Sequence, residues 1–208
     1  MSTSPPLFKA EDPLVALQER ITSCRKCPRL VLHRERSGQV KKRLFQEWTY
    51  WSRPVPSFGD PQARVALIGL APAAHGGNRT GRMFTGDASA RFLMGALYKT
   101  GFASQPTSEH RGDGLVLQGA YITAAVRCVP PEDRPTAQEV TSCAPYLAQE
   151  LTLLGELRAV VALGRIAFDA YMRLVSQQRG EPVRLPFQHG ARYSLGEGVP
   201  TLFVSYHP

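Results

Sequence analysis

The sequence has little of what a membrane-spanning or secreted protein needs. None of its apolar runs approaches the length of a membrane span, and residues 1–12 lack the basic-then-apolar order of a signal peptide. Cysteine is scarce, with 4 in 208 residues. We therefore expect a cytoplasmic protein with no membrane partner, in a reducing compartment that argues against disulfides.

Acidic residues are also in short supply. They number 17 against 25 lysines and arginines, which gives a formal charge of +8 and a pI near 9.6. The imbalance is greatest between Arg20 and Arg43, where nine basic residues accompany one acid, Glu35. Such a balance favours a polyanionic partner, although a basic run is often only a solvated face, so nucleic-acid binding stays open at this point.

The four cysteines form one close pair, Cys24 and Cys27, and two distant single residues, Cys128 and Cys143. A Cys-x-x-Cys pair can bind one side of an iron-sulfur cluster or a zinc ion, and two distant cysteines can complete the ligand set after folding. Fourteen residues separate the second pair, a spacing that favours a cluster, because structural zinc sites usually use two tight pairs. Two disulfides or four buried thiols are the alternatives.

The apolar pattern indicates an α/β fold. The chain has the length of a single domain, residues 1–208, with a basic, cluster-binding N-terminal segment at about 13–60. Strands are predicted at 65–70, 121–126, 159–163 and 202–206, and helices at about 87–100, 136–154 and 165–175. Alternation of this kind predicts three α/β/α layers around a central four-stranded parallel sheet, with ligands beyond the carboxyl ends of the strands.

The segment from Gly69 to Gly86 follows the first predicted strand and is rich in glycine. Its five glycines would let the backbone approach a ligand closely, and it contains Asn78, the only asparagine in the chain. A nucleotide-phosphate loop is the alternative, but neither the Gly-x-Gly-x-x-Gly pattern nor a Gly-Lys-Ser/Thr ending is present. We therefore expect a ligand-binding loop of another kind.

Four motifs together resemble family 5 uracil-DNA glycosylases. They are the stretches 69–75 (GLAPAAH), 78–87 (NRTGRMFTGD), 127–131 (RCVPP) and 205–208 (SYHP), together with the spacing of the four cysteines. The resemblance covers almost the whole chain. It implies a uracil-DNA glycosylase-like fold and a 4Fe-4S cluster bound by Cys24, Cys27, Cys128 and Cys143.

The resemblance also implies a function. It is that of a monomeric, monofunctional DNA glycosylase, which flips out and excises uracil and other deaminated bases such as hypoxanthine, and leaves an abasic site. Its substrate would be double-stranded DNA and also single-stranded DNA. No lysine occurs in the loop motifs, so we expect no lyase step. The alternative is a non-catalytic iron-sulfur protein that binds damaged DNA.

The resemblance gives individual residues expected roles. Phe84 would stack on the base, and His207 would donate to a base carbonyl oxygen as negative charge develops. Most of the superfamily has Asp, Asn or Glu just inside the first motif, where this chain has alanines, and Ala124 stands where family 4 has an asparagine. The other predicted base contacts lie in the first motif and are Gly69, Leu70, Ala71, Ala73 and Ala74.

Water placement and DNA contacts complete the expected site. His75 and Asn78 are the polar candidates for placing the attacking water, and the sequence does not rank them. The predicted contacts with the DNA backbone are Arg79, Arg82, Arg127 and His189. The family pattern continues beyond Pro208 with a serine-containing wedge loop and a helix, and we expect activity to suffer in a protein without them.

Overall fold

The computed structural model describes residues 12–208, which form a mixed six-stranded sheet in the order β1-β3-β2-β4-β6-β5. The strands are β1 (Phe58–Gly59), β2 (Val65–Gly69), β3 (Ala120–Ala124), β4 (Ala159–Leu163), β5 (Arg192–Tyr193) and β6 (Thr201–Ser205). The helices are α1 (Pro13–Thr22), α2 (Pro28–Gln39), α3 (Gly77–Thr80), α4 (Ala88–Lys99), α5 (Ala137–Leu153) and α6 (Arg165–Arg179). Two 3₁₀ turns lie at Arg43–Phe45 and Pro131–Asp133.

The four central strands confirm the predicted parallel sheet. β3, β2, β4 and β6 pair in parallel, and their bounds lie within two residues of the predicted ones. The sheet has six strands, however, because β1 and β5 add antiparallel edges. Each edge strand has only two residues, too few to show an apolar alternation.

The two faces of the sheet bury separate cores, which makes three layers. On β2, Ala66 and Ile68 face a core shared with α5 and α6, whereas Leu67 faces the opposite core, which contains Leu93 and Met94 of α4. The alternation follows from the period of two along a strand.

Local sequence signals fix several helix ends. Asp12 caps α1, and Pro13 is its first residue. Thr136 and Glu139 form a capping box at the start of α5, as their spacing indicates. Gly180 ends α6 in the left-handed region, at φ 72°.

Helix α2 was not predicted, because its sequence is mostly polar and buries only Leu30, Val31 and Arg34. It lies within the segment expected to bind the cluster. A single domain over residues 1–208 stays a prediction, and its part at residues 1–11 lies outside the described residues. Among residues 12–208, no helix is both long and apolar enough to cross a membrane.

Candidate active site and cysteine cavity

The carboxyl ends of the parallel strands open into a cavity of about 370 Å³. It lies where ligands of such sheets bind. Its lining comes from the ends of β2 and β3, the glycine-rich loop, the start of α4 and the residues after β6, namely Leu70, Ala71, Pro72, Ala73, Met83, Phe84, Asp87, Ala88, Ser89, Ala124, Asp133 and His207. The sequence placed five of these in the site. Two further residues predicted for base binding, Gly69 and Ala74, are not among the lining residues. Gly69 lies under the ring of Phe84.

Phe84 and His207 form one wall of this cavity. Their ring centroids are 6.1 Å apart with an interplanar angle of 27°. Phe84 has φ 46°, a left-handed conformation that a bulky residue rarely adopts. Its ring lies so close to Gly69 that a Cβ there would be 2.9 Å from the ring. Glycine at 69 therefore makes room for the aromatic wall.

His207 is held beside the cavity by its backbone surroundings. The Gly164 amide donates to Ser205 O at 2.8 Å, and an added Cβ on Gly164 would contact His207 at 3.4 Å. The Ser89 hydroxyl donates to the carbonyl oxygen of Pro208 at 2.7 Å. The start of α4 and the end of β4 therefore both restrain the segment that presents His207.

The cavity contains two carboxylates for which the sequence indicated no role, Asp87 and Asp133. Asp87 caps α4 by accepting from the Ala90 amide at 2.8 Å, and burial raises the pKa of its carboxyl. Asp133 follows two prolines and has φ 54°, which aspartate tolerates better than most residues. The available signals were the position of Asp87 at the end of the ligand loop and the Pro-rich turn after Cys128.

His75 and Asn78 were predicted to place the attacking water, and that role stays a prediction. Neither residue lines the cavity. His75 Nδ1 is hydrogen-bonded to the Tyr50 hydroxyl at 2.8 Å, and burial lowers its pKa, as do the nearby Lys42 and Arg79. Asn78 is fully buried, and its Nδ2 donates to a backbone carbonyl of α2. Both side chains therefore hold the ligand loop against other parts of the protein, His75 against Tyr50 and Asn78 against α2.

Phosphate contacts were predicted for Arg79, Arg82 and Arg127, and each of these residues is at most 3% exposed. Arg82 forms an ion pair with Asp113 at 2.6 Å, and Arg127 forms one with Glu150. These arginines bind partners inside the protein, and their contact with DNA stays a prediction.

Arg79 is enclosed by aromatic rings and loop carbonyls. Its guanidinium lies 4.0 Å from the Phe45 ring centroid and 4.1 Å from that of Trp48. It also donates to the carbonyl oxygens of His75 and Gly86. It therefore joins the middle of the loop to its end at Gly86.

His189 is exposed, and its contact with DNA stays a prediction. Its ring stacks on Tyr206 with centroids 4.6 Å apart and an angle of 8°. Its Nδ1 accepts from the Tyr206 amide at 3.0 Å. His189 thereby supports the residue immediately before His207.

The four cysteines all line one small cavity between the turn after α1, α2, α5 and the residues after β3. Cys24 and Cys27 are half-buried, Cys128 and Cys143 are buried, and none is in a disulfide. Among the described residues, no three Cys, His or acidic side chains are arranged tightly enough to hold a single metal ion. The arrangement is therefore more open than a closed zinc site.

Arg34 gives this cavity a charged wall. It is 2% exposed, and its Nη1 donates to Cys128 Sγ at 3.0 Å. Its Nε is buried with no partner among residues 12–208. Burial raises the pKa of the Cys128 thiol to about 12, although Arg34 acts against this. Thiolates bound to a cationic centre would remove that penalty, and the free Nε–H could donate to a sulfide, so these residues fit an iron-sulfur cluster.

A parallel sheet with an aromatic and histidine-lined cavity at its carboxyl edge fits a glycosylase that excises bases from DNA. A family model described as the uracil DNA glycosylase superfamily matches residues 56–208. The chain belongs to this superfamily, and within it to the type-5 uracil-DNA glycosylases.

The relatives carry this narrower assignment. The type-5 uracil-DNA glycosylase of Thermus thermophilus is 50% identical over 192 residues, which cover 92% of this chain and 85% of that protein. The type-5 enzyme of Pyrobaculum aerophilum is 46% identical over 91% of this chain and 79% of its own length. A type-4 uracil-DNA glycosylase from the same archaeon is 33% identical over 79% of this chain and 67% of its own.

Proposed function

We propose that this protein removes uracil from DNA as a monofunctional glycosylase, and the observation that carries the proposal is the pairing of Phe84 with His207 in a cavity at the sheet edge. The target nucleotide must leave the duplex to reach such a cavity. Its base would stack on Phe84, and His207 would donate to a carbonyl oxygen at the base edge. The bond between C1′ and the base then breaks, water oxygen bonds to C1′, and the base takes up a proton.

The attacking water is assigned to the carboxylates of the cavity, in place of His75 and Asn78. Asp87 and Asp133 are the acidic side chains in the lining, and either can accept a hydrogen bond from water. A carboxylate also stabilises the cation-like sugar that forms as the base departs. No lysine lines the cavity, which supports hydrolysis without a lyase step.

Tolerance for hypoxanthine is part of the proposal. Ala73 and Ala124 line the cavity. The family resemblance puts a water-orienting side chain of other members at the first motif and a base-reading asparagine of family 4 at the position of Ala124. A cavity with few side-chain donors discriminates weakly between bases that share a carbonyl oxygen for His207. We extend the proposal to uracil in single-stranded DNA and to a monomeric enzyme.

Exposed cations beside the ligand loop are the better candidates for phosphate contacts, because Arg79, Arg82 and Arg127 are buried. Lys42 and Arg43 are exposed on the segment that packs against His75, at the side of the ligand loop. We assign phosphate contacts to these two residues and to His189. The slope of log K against log salt is negative, and each lost phosphate contact reduces its magnitude by about 0.9. A Lys42→Ala, Arg43→Ala double variant should therefore show a shallower slope, and an unchanged slope would refute the assignment.

The cofactor proposed for the cysteine cavity is a 4Fe-4S cluster, which supplies structural support here and takes no part in base release. Each thiolate of such a cluster binds a different iron, so the cysteines need not converge on one point. The free thiols also fit a reducing, cytoplasmic location. Protein purified without oxygen should contain about four iron atoms per chain, and stoichiometric zinc would refute the cluster.

The test of the function is release of the base from a 5′-labelled oligonucleotide with one uracil. We expect free uracil and a strand that breaks only after alkali. Binding without release would favour the alternative, a non-catalytic protein that recognises damaged DNA. A parallel duplex containing hypoxanthine tests the wider substrate range.

A further inference from the structure

Arg34 occupies an unusual position for a charged residue. It lies on α2, where Leu30, Val31 and Arg34 share the buried face. Its Nη1 donates to Cys24 O at 3.2 Å as well as to Cys128 Sγ at 3.0 Å. None of the ion pairs within residues 12–208 includes Arg34. A buried cation without a carboxylate partner is destabilising unless some other negative group compensates it.

The same residue contacts the ligand loop through its backbone. Arg34 O accepts a hydrogen bond from Asn78 Nδ2 at 3.1 Å. The backbone N–H of Asn78 in turn donates to Ala73 O at 3.0 Å, and Ala73 lines the base cavity. Ser52 N donates to Asn78 O at 3.1 Å and covers this junction from the other side. Two consecutive hydrogen bonds through Asn78 therefore connect Arg34 to Ala73 at the base cavity.

We propose that Arg34 is a positioning residue that joins the iron-sulfur site to the ligand loop. The negative charge of a cluster with four thiolates compensates the buried guanidinium, and Nη1 and the free Nε donate to its sulfur atoms. Its backbone carbonyl fixes Asn78, and through Asn78 the strand-to-loop segment at Ala73. This inference rests on the cluster that we proposed above.

A measurable consequence is the reduction potential of the cluster. Hydrogen bonds to cluster sulfurs are one of the factors that set this potential, because they stabilise the additional negative charge of the reduced form. Removal of the guanidinium should therefore make reduction by dithionite more difficult. A simple structural role in filling space would leave the potential unchanged.

The first experiment compares Arg34→Met, Arg34→Lys and the control Arg36→Met, all purified without oxygen. Arg36 is exposed on the same helix, so its replacement removes an equal charge without touching the cavity. Iron and zinc are measured first, and the midpoint potential is then followed by the electron paramagnetic resonance of the reduced cluster. We expect a more negative potential for Arg34→Met, a smaller shift for Arg34→Lys, and the parent value for Arg36→Met.

Each outcome decides a different point. Zinc in the parent protein refutes the cluster and this inference together, whereas iron with the same potential in all variants refutes only the role of Arg34. If Arg34→Met fails to retain iron, Arg34→Lys decides, and a parent-like potential in that variant counts against the proposal. Uracil release does not enter the measurement, so failure of the proposed activity is recognised separately.

The second experiment tests the link to the loop by hydrogen–deuterium exchange. Arg34→Met keeps the backbone carbonyl that binds Asn78 but removes the guanidinium that holds this part of α2 to the cluster. If the side chain keeps that carbonyl in position, the amides of Asn78 and its neighbours up to Gly81 should exchange faster than in Arg36→Met. Exchange in β4 should be the same in both variants, because this strand lies away from the junction. Equal exchange of the loop amides in the two variants would refute the link.

Discussion

Phe84 and His207 lie side by side, with ring centroids 6.1 Å apart and planes inclined by 27°. This separation is within the range for aromatic rings in direct contact, so no base fits between them. In the proposed complex, a base would therefore stack on Phe84 from outside this pair and meet His207 at its edge. In this arrangement Phe84 would hold the base, and His207 would donate a hydrogen bond to the negative charge that develops on it.

Replacement of His207 by alanine should slow the chemical step. A positioned donor at a developing negative charge contributes about 3 to 4 kcal/mol, which corresponds to about two to three orders of magnitude in rate. We expect that loss in single-turnover uracil release, with little change in DNA affinity. The exposed His110 provides the control His110→Ala. A rate equal to that of the control would make His207 a structural residue.

Replacement of Phe84 by alanine should weaken binding as well as catalysis. Stacking of a base on an aromatic side chain contributes about 1 to 3 kcal/mol, and it is present before and during cleavage. We expect weaker binding to uracil-containing DNA and an unchanged affinity for undamaged duplex. Phe92, exposed on α4, provides the matched variant Phe92→Ala. Equal loss of affinity for both duplexes would contradict the stacking role.

Replacement of Asp87 or Asp133 should slow uracil release, whereas replacement of a neighbouring acid outside the cavity should not. If one of them orients water, its change to asparagine should lower single-turnover release by about two orders of magnitude or more. Glu132 is the natural control, because it precedes Asp133 and is exposed outside the cavity. Parent-like rates in both Asp87→Asn and Asp133→Asn would remove the carboxylates from the mechanism.

The sequence predicted the parallel sheet because buried strands follow from local apolar patterns. The apolar runs at β2 and β4 have the correct length for buried strands, and the motifs place Phe84 in the loop that follows β2 and His207 just beyond the end of β6. Their convergence is a consequence of parallel topology, which the alternation of strands and helices already predicts.

The sequence did not predict which polar residues are buried. Arg127 and Glu150 lie 23 positions apart and become partners only when α5 packs on β3. An arginine in a basic protein suggests a phosphate contact, and only the packed structure shows a carboxylate beside it. The same limitation applies to His75 and Asn78, whose partners come from the segment before the sheet.

Glu150→Gln should strongly destabilise the protein. Glu150 is fully buried and accepts from Thr123 and Gln18 at 2.7 Å in addition to its ion pair with Arg127. The change leaves the Arg127 charge buried without a counter-ion, which costs about 3 to 5 kcal/mol.

The control for this change is Asp169→Asn, which breaks the exposed pair with Arg165. Exposed pairs contribute about 0.2 to 1 kcal/mol. Urea unfolding of the cluster-loaded protein without oxygen measures both variants. Equal losses of unfolding free energy would contradict the stabilising role of the buried pair.

The pair of Arg82 and Asp113 should make stability depend on acid pH. Burial by itself would raise the pKa of Asp113, but hydrogen bonds from Arg82 and from the Leu115 and Glu109 amides outweigh it and hold the pKa well below its usual value. A carboxyl with a depressed folded-state pKa stabilises the protein fully above its unfolded pKa of about 3.9, and this contribution disappears as the pH falls further. Asp113→Asn should therefore be less stable than the parent at pH 7, and the difference should shrink progressively below about pH 4. Urea unfolding at a series of pH values measures this, with Glu156→Gln as the control, because Glu156 belongs to an exposed pair with Arg158. A difference that stays constant down to the lowest pH would mean that the Asp113 side chain acts through its shape and not through its charge.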